Sequence, residues 1–438
     1  MMITSWIESA NDAGLGFSLD NLPYCSFSQQ DRSPRLGVVV GDRIVDLYLL
    51  ADENLLPSKQ ALMQPVLNDV MALTKANRLA LREALKGLLA DQPGMLRDHS
   101  GLVEQGVHEI QNVYFHLPAR IGDFSDFYAS RYHATNVGAM LRPEEPLLSN
   151  YKHLPVGYHG RSSSITVSGT NIRRPVGQIA PGVGEENPRF EESSKLDYEM
   201  ELGVYLAGGN LLGDPIKIDN VEDSVFGFCL LNDWSARDLQ RWEYQPLGPF
   251  LSKSFASSVS PFVVTAEALE PFRVPANERP VDDPPLLPYL DSDLNRTAGG
   301  LDLQLDVFLL SEKMRSVGLE PYRISSGRFR DMYWTIAQMI THQASNGCNI
   351  RPGDLIGSGT VSGREKISRG CLLERNWLGD FGETVSSTNR LSLELPTGEK
   401  RDFLENGDEV ILRGFAENSD HHQVSLGECR GRILAANV

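Results

Sequence analysis

Short segments with the hydrophobic and polar pattern of strands dominate the chain from about residue 118 onward, which predicts a mainly β structure with some α. Turns bearing glycine, proline or asparagine separate these segments: SSSITVSGTNIRR, LDYEMELGVYL, FGFCLLNDWSARD, FVVTAEAL, LDLQLDVFLL, DLIGSGTVSG and GDEVILRGFAE. Two segments in this half have helical spacing, Trp234 to Tyr244 and Met332 to Gly347. A proline-rich run from Pro271 to Pro288 predicts a surface loop.

The first part of the chain has a different pattern. RLGVVVGDRIVDL predicts two strands around a turn at Gly41 and Asp42. Residues 61–92 then carry apolar side chains at helical spacing and predict one or two amphipathic helices. Because 438 residues exceed what one core usually serves, we expect two domains, residues 1–117 and residues 118–438.

Composition and charge narrow the class of protein. The chain is 41% hydrophobic and 23% charged, as in ordinary globular proteins, and its formal charge is −17. That balance argues against nucleic acid as a partner, because nucleic-acid-binding proteins carry a basic surface. Neither a secretory signal nor a long apolar run is visible, so no membrane partner is expected. Five scattered cysteines without a CxxC motif fit a reducing cytoplasm.

The strand-like segment LDYEMELGVYL contains two carboxylates two positions apart, Glu199 and Glu201. Alternate residues of a strand point to the same face, so these two side chains would lie about 6–7 Å apart along the backbone. Met200, Leu202 and Val204 would occupy the opposite face, in the core. Either the carboxylate face is open to water, or a cation lies between the two groups.

Two further acidic residues stand in comparable positions. Asp126 lies seven residues before His133, and Asp233 lies where an apolar strand ends and a helix is predicted to begin. Taken alone, Asp233 fits a helix N-cap equally well and Asp126 fits a solvated loop residue. Together with Glu199 and Glu201 they would form a set of oxygen ligands that favours Ca²⁺, Mg²⁺ or Mn²⁺. Clustered carboxylates without a cation would repel one another by several kcal/mol.

The segment ARDLQRWEY adds candidate polar groups. On a helix, Arg237, Gln240 and Tyr244 share one side with Asp233 at the helix start, and Lys253 follows shortly afterwards. A solvated helix face with an exposed lysine explains the same pattern. His133 is one of nine histidines, and the residues alone do not distinguish a catalytic from a structural role.

The segments DFYASRYHATNVG, LPVGYHGRSSSI, LDYEMELG, LNDWSARDLQRWEYQPLGPFLSKSF and NGCNIRPGDLIGSGTVSG resemble, in this order, the fumarylacetoacetate hydrolase family. The resemblance runs over nearly the whole chain, and WSARDxQxWEYxPLGPF is its most specific part. It implies a small N-terminal SH3-like barrel, a large C-terminal β-roll domain and a homodimer. It also implies metal-dependent hydrolysis of a carbon–carbon bond in 4-fumarylacetoacetate, which yields fumarate and acetoacetate in tyrosine and phenylalanine breakdown.

The resemblance further implies a role for each site residue. His133 would be the general base, oriented by Glu374, while Arg237, Gln240 and Lys253 would stabilise an oxyanion. Tyr128, Arg142, Gln240, Tyr244 and Thr360 would bind the diketo acid substrate. Ca²⁺ would lie on Asp126, Glu199, Glu201 and Asp233, and Mg²⁺ by Asp233, Lys253 and Ser257. Many relatives have threonine where Ser257 stands, and serine keeps the hydroxyl.

An acylpyruvase-like hydrolase of another β-diketo acid would retain the same acidic metal site. It would more often lack the long N-terminal domain and the WEYxPLGPF segment, both of which are present here. A non-catalytic protein on the same fold would be expected to lose His133 or Glu374, and both are retained.

Overall fold

The computed structural model describes residues 3–30, 32–93, 95–383, 385–386 and 388–437. It is a mixed α/β, β-rich structure with an N-terminal domain and a larger C-terminal domain. No helix in the described ranges is long and apolar enough to cross a membrane.

The N-terminal domain contains one antiparallel sheet with strand order β4-β3-β2-β1-β5. Its strands are β1 (Tyr24–Ser28), β2 (Arg35–Val40), β3 (Arg43–Asp46), β4 (Val107–Glu109) and β5 (Tyr114–His116). Its helices are α1 (Leu47–Asp52), α2 (Lys59–Leu62), α3 (Asn68–Met71), α4 (Lys75–Leu89) and α5 (Ser100–Gly106). Among the described residues no ladder joins β4 to β5, so backbone pairing leaves this sheet open.

The predicted hairpin of the first domain is confirmed, because β2 and β3 pair around Gly41. Gly41 has a φ of +59°, and a Cβ there would come within 2.3 Å of Ser9 Oγ, so the turn requires glycine. The predicted amphipathic helices are three rather than one or two: α2, α3 and α4. In α4, Leu81, Leu85 and Leu89 are buried, as the spacing predicts.

The C-terminal domain contributes many short strands and two large sheets. Its first strands are β6 (Phe124–Phe127), β7 (Gly157–His159), β8 (Ile165–Val167), β9 (Ile172–Arg173), β10 (Val176–Ile179), β11 (Arg189–Glu192), β12 (Leu196–Asp197), β13 (Met200–Leu206), β14 (Val225–Asp233), β15 (Ser235–Ala236) and β16 (Ser257–Val259). The later strands are β17 (Val264–Thr265), β18 (Arg273–Val274), β19 (Gly300–Leu301), β20 (Gln304–Leu310), β21 (Tyr322–Arg328), β22 (Leu355–Gly357), β23 (Leu393–Glu394), β24 (Lys400–Arg401), β25 (Glu409–Asn418) and β26 (His421–Leu434).

Among the described residues, eight α-helices lie between these strands: α6 (Arg131–Leu141), α7 (Arg237–Glu243), α8 (Leu251–Ser254), α9 (Ala266–Leu269), α10 (Asp293–Ala298), α11 (Glu312–Ser316), α12 (Ile336–Ala344) and α13 (Leu372–Arg375). The two segments predicted as helical contain α7 and α12, and each helix is shorter than the predicted segment. The second helix starts later than predicted, because the Thr335 side chain and Gln338 form a capping box at the start of α12. The segments that form α6 and α13 were not predicted as helices.

One sheet has the order β7-β6-β22-β13-β14-β16-β8, with β17 also paired to β14, and the other has the order β21-β20-β25-β26-β9. The main core lies between them and includes Met200, Leu202 and Val204 of β13, as the alternation predicts. The opposite face of β13 carries Tyr205, which packs with the N-terminal domain. The centre of the first sheet is therefore covered on both faces, and its strands β13 and β14 are continuously buried.

A buried ion pair supports the second sheet. Asp408, next to β25, accepts from Arg401 Nε at 2.8 Å and Nη2 at 3.0 Å, and from the Glu405 N–H at 2.9 Å. Both side chains are nearly inaccessible. Removing one partner of such a pair leaves the other charge buried without its counterion.

We expect Asp408→Asn to lower the free energy of unfolding by about 2–3 kcal/mol, somewhat less than for an isolated buried pair because Glu399 still contacts Arg401. Thermal unfolding followed by circular dichroism measures this as a lower Tm. The control is Asp293→Asn, which breaks an exposed pair with Arg296 and is expected to leave Tm unchanged. Equal Tm values for the two variants would contradict the assignment.

Candidate active site and metal centre

Four carboxylates meet at one end of the strands in the eight-stranded sheet. Asp126 is in β6, Glu201 is the second residue of β13, Asp233 is the last residue of β14, and Glu199 directly precedes β13. Both β6 and β14 run antiparallel to β13. The C-terminal ends of β6 and β14 therefore lie at the same end of the sheet as the start of β13. Each residue offers an oxygen within 4.8 Å of the other three, and all four are buried.

The segment LDYEMELGVYL is broken rather than one continuous strand. Its ladder stops between β12 and β13, because the Glu199 N–H bonds to the Asn232 side chain at 3.1 Å rather than to a neighbouring strand. Glu199 and Glu201 nevertheless point into the same cluster, as their spacing predicts. All four side chains are buried, which favours the alternative in which a positive charge lies beside them.

Two cationic side chains contact Glu199. Lys253 Nζ lies 2.5 Å from Glu199 Oε2 and 2.8 Å from Asp233 Oδ2, and Arg237 Nη1 lies 2.8 Å from Glu199 Oε1. Burial opposes ionisation of Glu199, but the charges of Lys253 and Arg237 outweigh it and hold the pKa of that carboxyl well below its usual range. Burial also opposes the charge on Lys253, yet Asp233 and Glu199 raise the pKa of its ammonium group.

Among the described residues, no cationic side chain contacts Asp126 or Glu201. Burial, followed by the charges of the neighbouring carboxylates, raises the pKa of both side chains well above the ordinary range. Both accept from the Gly359 N–H, at 3.2 Å and 3.1 Å, while Glu201 Oε1 has no partner among the described residues. Gly359 has a φ of +75°, and a Cβ there would come within 2.3 Å of the Phe127 carbonyl. This half of the cluster fits a divalent cation, since its oxygen donors contact no cationic side chain among the described residues.

Asp233 does not cap a helix, because α7 begins at Arg237 and its N-cap is Ala236. Its carboxylate instead accepts from Ser257 Oγ at 2.8 Å and from Tyr158 OH at 2.7 Å, in addition to its contact with Lys253. The structure thus places Asp233, Lys253 and Ser257 in direct contact. The Lys253 ammonium group has no lone pair to offer a metal, so its side chain acts there as a positive charge.

His133 faces this cluster from the first turn of α6. The Ser130 side chain caps the helix by accepting from the His133 N–H at 3.2 Å. His133 Nδ1 lies 2.5 Å from Glu374 Oε2, and its Nε2 lies 3.9 Å from Glu199 Oε1. The imidazole therefore lies between Glu374 and the carboxylate cluster.

Glu374 belongs to α13, 241 positions after His133, and is fully buried. Its other hydrogen bonds come from Asn136 Nδ2 at 2.9 Å, Ser362 Oγ at 2.8 Å and Cys371 Sγ at 3.3 Å. Burial alone would raise the pKa of the Glu374 carboxyl. The charge of His133 and the hydrogen bonds outweigh burial and lower that pKa to about 2. A charged carboxylate thus holds the imidazole in a fixed orientation.

A cavity of about 450 Å³ opens in front of these groups. Its lining includes all the residues expected to bind substrate: Tyr128, Arg142, Gln240, Tyr244 and Thr360. It also includes His133, Arg237, Lys253, Asp126 and Glu199. Glu201, Asp233, Ser257 and Glu374 do not line the cavity and support it from behind.

The walls of the cavity combine aromatic packing with unused polar atoms. The ring of Tyr128 meets His133 edge to face at 5.1 Å, and burial raises the pKa of the Tyr128 hydroxyl. Thr360 Oγ1 is buried without a partner among the described residues. An inward-facing hydroxyl of this kind is suited to a ligand, because leaving it unpaired costs free energy.

The predicted polar face of α7 is present. Arg237, Gln240 and Tyr244 all reach the cavity, and Arg237 Nη1 donates to Gln240 Oε1 at 3.1 Å. Arg237 Nη2 is buried and has no partner among the described residues. A solvated helix face does not describe this segment, because Arg237 is buried.

Several supporting residues were not predicted from the sequence: Tyr158, Asn136, Ser362, Gly359 and Asp197. Asp197 had a visible signal, since it continues the alternation of Glu199 and Glu201 by one further step in LDYEME. The sequence signal for Gly359 was weaker, because it is one of several glycines in GSGTVSG. The others reach the site only through tertiary contacts.

Comparisons with known proteins cover both domains. Residues 20–118 match the family model described as fumarylacetoacetase N-terminal, and residues 124–434 match that of the fumarylacetoacetate hydrolase C-terminal. The chain is 42% identical to fumarylacetoacetase from Dictyostelium discoideum, over 100% of this chain and 99% of the relative. It is 43% identical to fumarylacetoacetase from Homo sapiens, over 99% of each chain.

A solved structure shares the fold at much lower identity. The fumarylacetoacetate hydrolase from Exiguobacterium antarcticum aligns with a TM-score of 0.50 at 15% identity, covering 94% of this chain and 99% of that one. With two matching family models and full-length relatives above 40% identity, the chain belongs to the fumarylacetoacetate hydrolase family.

Proposed function

We propose that this chain hydrolyses the carbon–carbon bond of 4-fumarylacetoacetate and releases fumarate and acetoacetate, the last step of tyrosine and phenylalanine breakdown. The observation that carries the proposal is a cavity lined by His133, which Glu374 holds from behind, and by Asp126 and Glu199 of the four-carboxylate cluster. Support comes from relatives named fumarylacetoacetase that align with the chain from end to end. Hydrolysis of another β-diketo acid, as by an acylpyruvase, is the alternative that the same site would serve.

His133 is the general base. Because its Nδ1 is engaged by the ionised Glu374, the hydrogen on Nδ1 is fixed and Nε2 is the nitrogen that can accept a proton. Nε2 takes the proton of the attacking water, and Glu374 stabilises the imidazolium that results. Glu374 stays charged throughout, since the low pKa of its carboxyl makes it a poor proton acceptor.

Attack on the carbonyl produces an oxyanion that needs positive hydrogen-bond donors. Arg237 Nη2 is a buried donor without a partner among the described residues, and Gln240 accepts from Arg237, which leaves the Gln240 amide N–H₂ to donate. Lys253 adds a positive charge at the same wall. One such donor contributes roughly 3–4 kcal/mol to the transition state.

The metal site would be built from Asp126, Glu199, Glu201 and Asp233, and we propose Ca²⁺ as its ion because the family resemblance implies it and hard oxygen donors suit it. A divalent ion held there would supply a Lewis acid that stabilises the enolate character of the carbon leaving group. Mg²⁺ is proposed beside Asp233 and Ser257. Lys253 would serve that second site only through its main chain, since its ammonium group cannot ligate a metal.

The remaining cavity residues select the substrate. Arg142 suits a carboxylate, because a guanidinium group can bond both oxygens at once. Tyr128, Tyr244 and Thr360 present hydroxyl groups to the same cavity, and Gln240 adds its amide. Together these groups match a diketo acid, which has a charged carboxylate and several carbonyl acceptors.

Other expectations from the resemblance stay predictions. They are the SH3-like topology of the N-terminal domain, the β-roll classification, the boundary between residues 117 and 118, the homodimer and the cytoplasmic location. Light scattering of the purified protein tests the homodimer.

The proposed substrate is tested by the loss of fumarylacetoacetate absorbance with purified protein. We expect rapid decay, and no comparable cleavage of an acylpyruvate under the same conditions. If the protein instead cleaves the acylpyruvate and leaves fumarylacetoacetate intact, the alternative function is correct.

We expect His133→Ala to lower kcat by about 10²–10⁴-fold, because a positioned general base typically contributes that much. The same absorbance assay measures the loss. His153→Ala is the matched control, since His153 is exposed and does not line the cavity. Full activity in His133→Ala would remove the proposed base.

We expect Glu201→Gln to weaken Ca²⁺ binding by at least tenfold, because Glu201 Oε1 is the carboxylate oxygen left without a partner. Isothermal titration calorimetry of chelator-treated protein measures the affinity, and activity should return as Ca²⁺ is added back. Glu312→Gln is the control, because Glu312 is exposed on α11. Unchanged Ca²⁺ affinity in Glu201→Gln would place the ion elsewhere.

A further inference from the structure

A third carboxylate follows the alternation of LDYEMEL but does not belong to the metal cluster. Asp197, Glu199 and Glu201 stand at every second position, yet only the last two contribute to the four-carboxylate set. Asp197 is completely buried at the end of β12. A buried carboxylate is costly unless every oxygen is paired, so its partners indicate what it does.

One group of partners lies at the start of α13. Asp197 Oδ1 accepts from the Leu372 N–H at 2.8 Å, and Oδ2 accepts from the Leu373 N–H at 3.0 Å. The N-cap residue of this helix, Cys371, makes no capping bond of its own. Asp197 therefore replaces the missing cap from 175 positions away in sequence and fixes the turn that carries Glu374.

The other partner is a cavity residue. Asp197 Oδ2 accepts from Arg237 Nε at 2.9 Å, while Nη1 of the same guanidinium bonds to Glu199 and Gln240. Since a guanidinium group is planar, a bond to Nε and another to Nη1 fix the direction in which Nη2 points. Nη2 is the donor that the proposed mechanism uses for the oxyanion.

We propose that Asp197 is a positioning residue that holds the Glu374 turn and the Arg237 guanidinium in one fixed relation, so that base and oxyanion donor act on the same carbonyl. It touches neither the cavity nor His133 in the described residues, so it acts through Glu374 and Arg237. The kinetic test of this proposal rests on the proposed function. The structural test depends only on the hydrogen bonds of Asp197.

The kinetic test compares Asp197→Asn with wild type. Four N–H groups now reach the carboxylate, those of Leu372, Leu373, Arg237 Nε and the neighbouring Tyr198. The asparagine amide cannot accept from all four, so one of the two arms is released. We expect kcat to fall at least tenfold while KM stays within threefold, because the substrate-binding residues are untouched. A rise in KM at constant kcat would overturn the proposal.

The matched control is Asp46→Asn in the N-terminal domain. Asp46 is also buried, also caps a helix by accepting from the Leu49 N–H at 3.1 Å, and also pairs with an arginine, Arg35 Nη1 at 2.9 Å. It does not line the cavity. We expect this variant to lose stability but to keep kcat within twofold, and an equal kcat loss in both variants would show a purely structural role.

Double variants separate positioning from stability. If Asp197 acts through Glu374 and Arg237, then Asp197→Asn should cost less in a Glu374→Gln or an Arg237→Gln background than in wild type. Full additivity in both backgrounds would overturn the proposal. Should Asp197→Asn fail to fold, Asp197→Glu keeps the charge but displaces the carboxylate by one methylene group, and the same kcat loss is expected. Wild-type kcat in Asp197→Glu would count against the proposal.

A structural readout distinguishes this proposal from the proposed function. Hydrogen–deuterium exchange of the peptide that contains Leu372 and Leu373 should be faster in Asp197→Asn than in wild type or Asp46→Asn. Turnover of fumarylacetoacetate by the wild-type protein tests the proposed substrate. The kcat ratio of each variant to wild type is then measured on the diketo acid that the wild type cleaves. Unchanged exchange in Asp197→Asn would refute the capping role, whatever the substrate.

Discussion

The structure depends on a concentration of negative charge that the fold itself does not neutralise. Asp126, Glu199, Glu201 and Asp233 come together in the interior, where two like charges 4 Å apart repel by about 4 kcal/mol. Lys253 and Arg237 compensate the half around Glu199, while Asp126 and Glu201 keep raised pKa values for want of a counterion. A divalent cation would resolve this imbalance, and the proposed reaction would use the same ion.

The proposed catalytic groups surround that cluster. His133 stands between the four carboxylates and Glu374, and Glu374 is held by hydrogen bonds from residues that do not line the cavity. Arg237 contacts both Glu199 of the cluster and Gln240, and Asp197 joins Arg237 to the helix of Glu374. Because each polar group is paired with the next, displacement of one member is expected to propagate to the others.

How much the sequence predicts depends on the range of the interactions. Alternation predicts that Glu199 and Glu201 share a face, and helical spacing predicts that Arg237, Gln240 and Tyr244 do, because both depend on local geometry. The residues alone leave open whether Asp233 caps a helix, since that depends on Lys253, Ser257 and Tyr158.

The contact between His133 and Glu374 spans 241 positions, and no local pattern reports it; the family resemblance supplied it. The break before β13 was also missed, because a side chain, Asn232, replaces a strand partner there. Short helices such as α13 escape periodicity altogether, since four residues complete little more than one turn.

The most direct test of the central claim is a crystal structure of the protein grown with Mn²⁺, examined by anomalous scattering. The account predicts a strong anomalous peak coordinated by oxygens of Asp126, Glu199, Glu201 and Asp233, with His133 facing it across the cavity. A structure in which these four carboxylates approach one another with no ion between them, or in which the ion binds elsewhere, would contradict it.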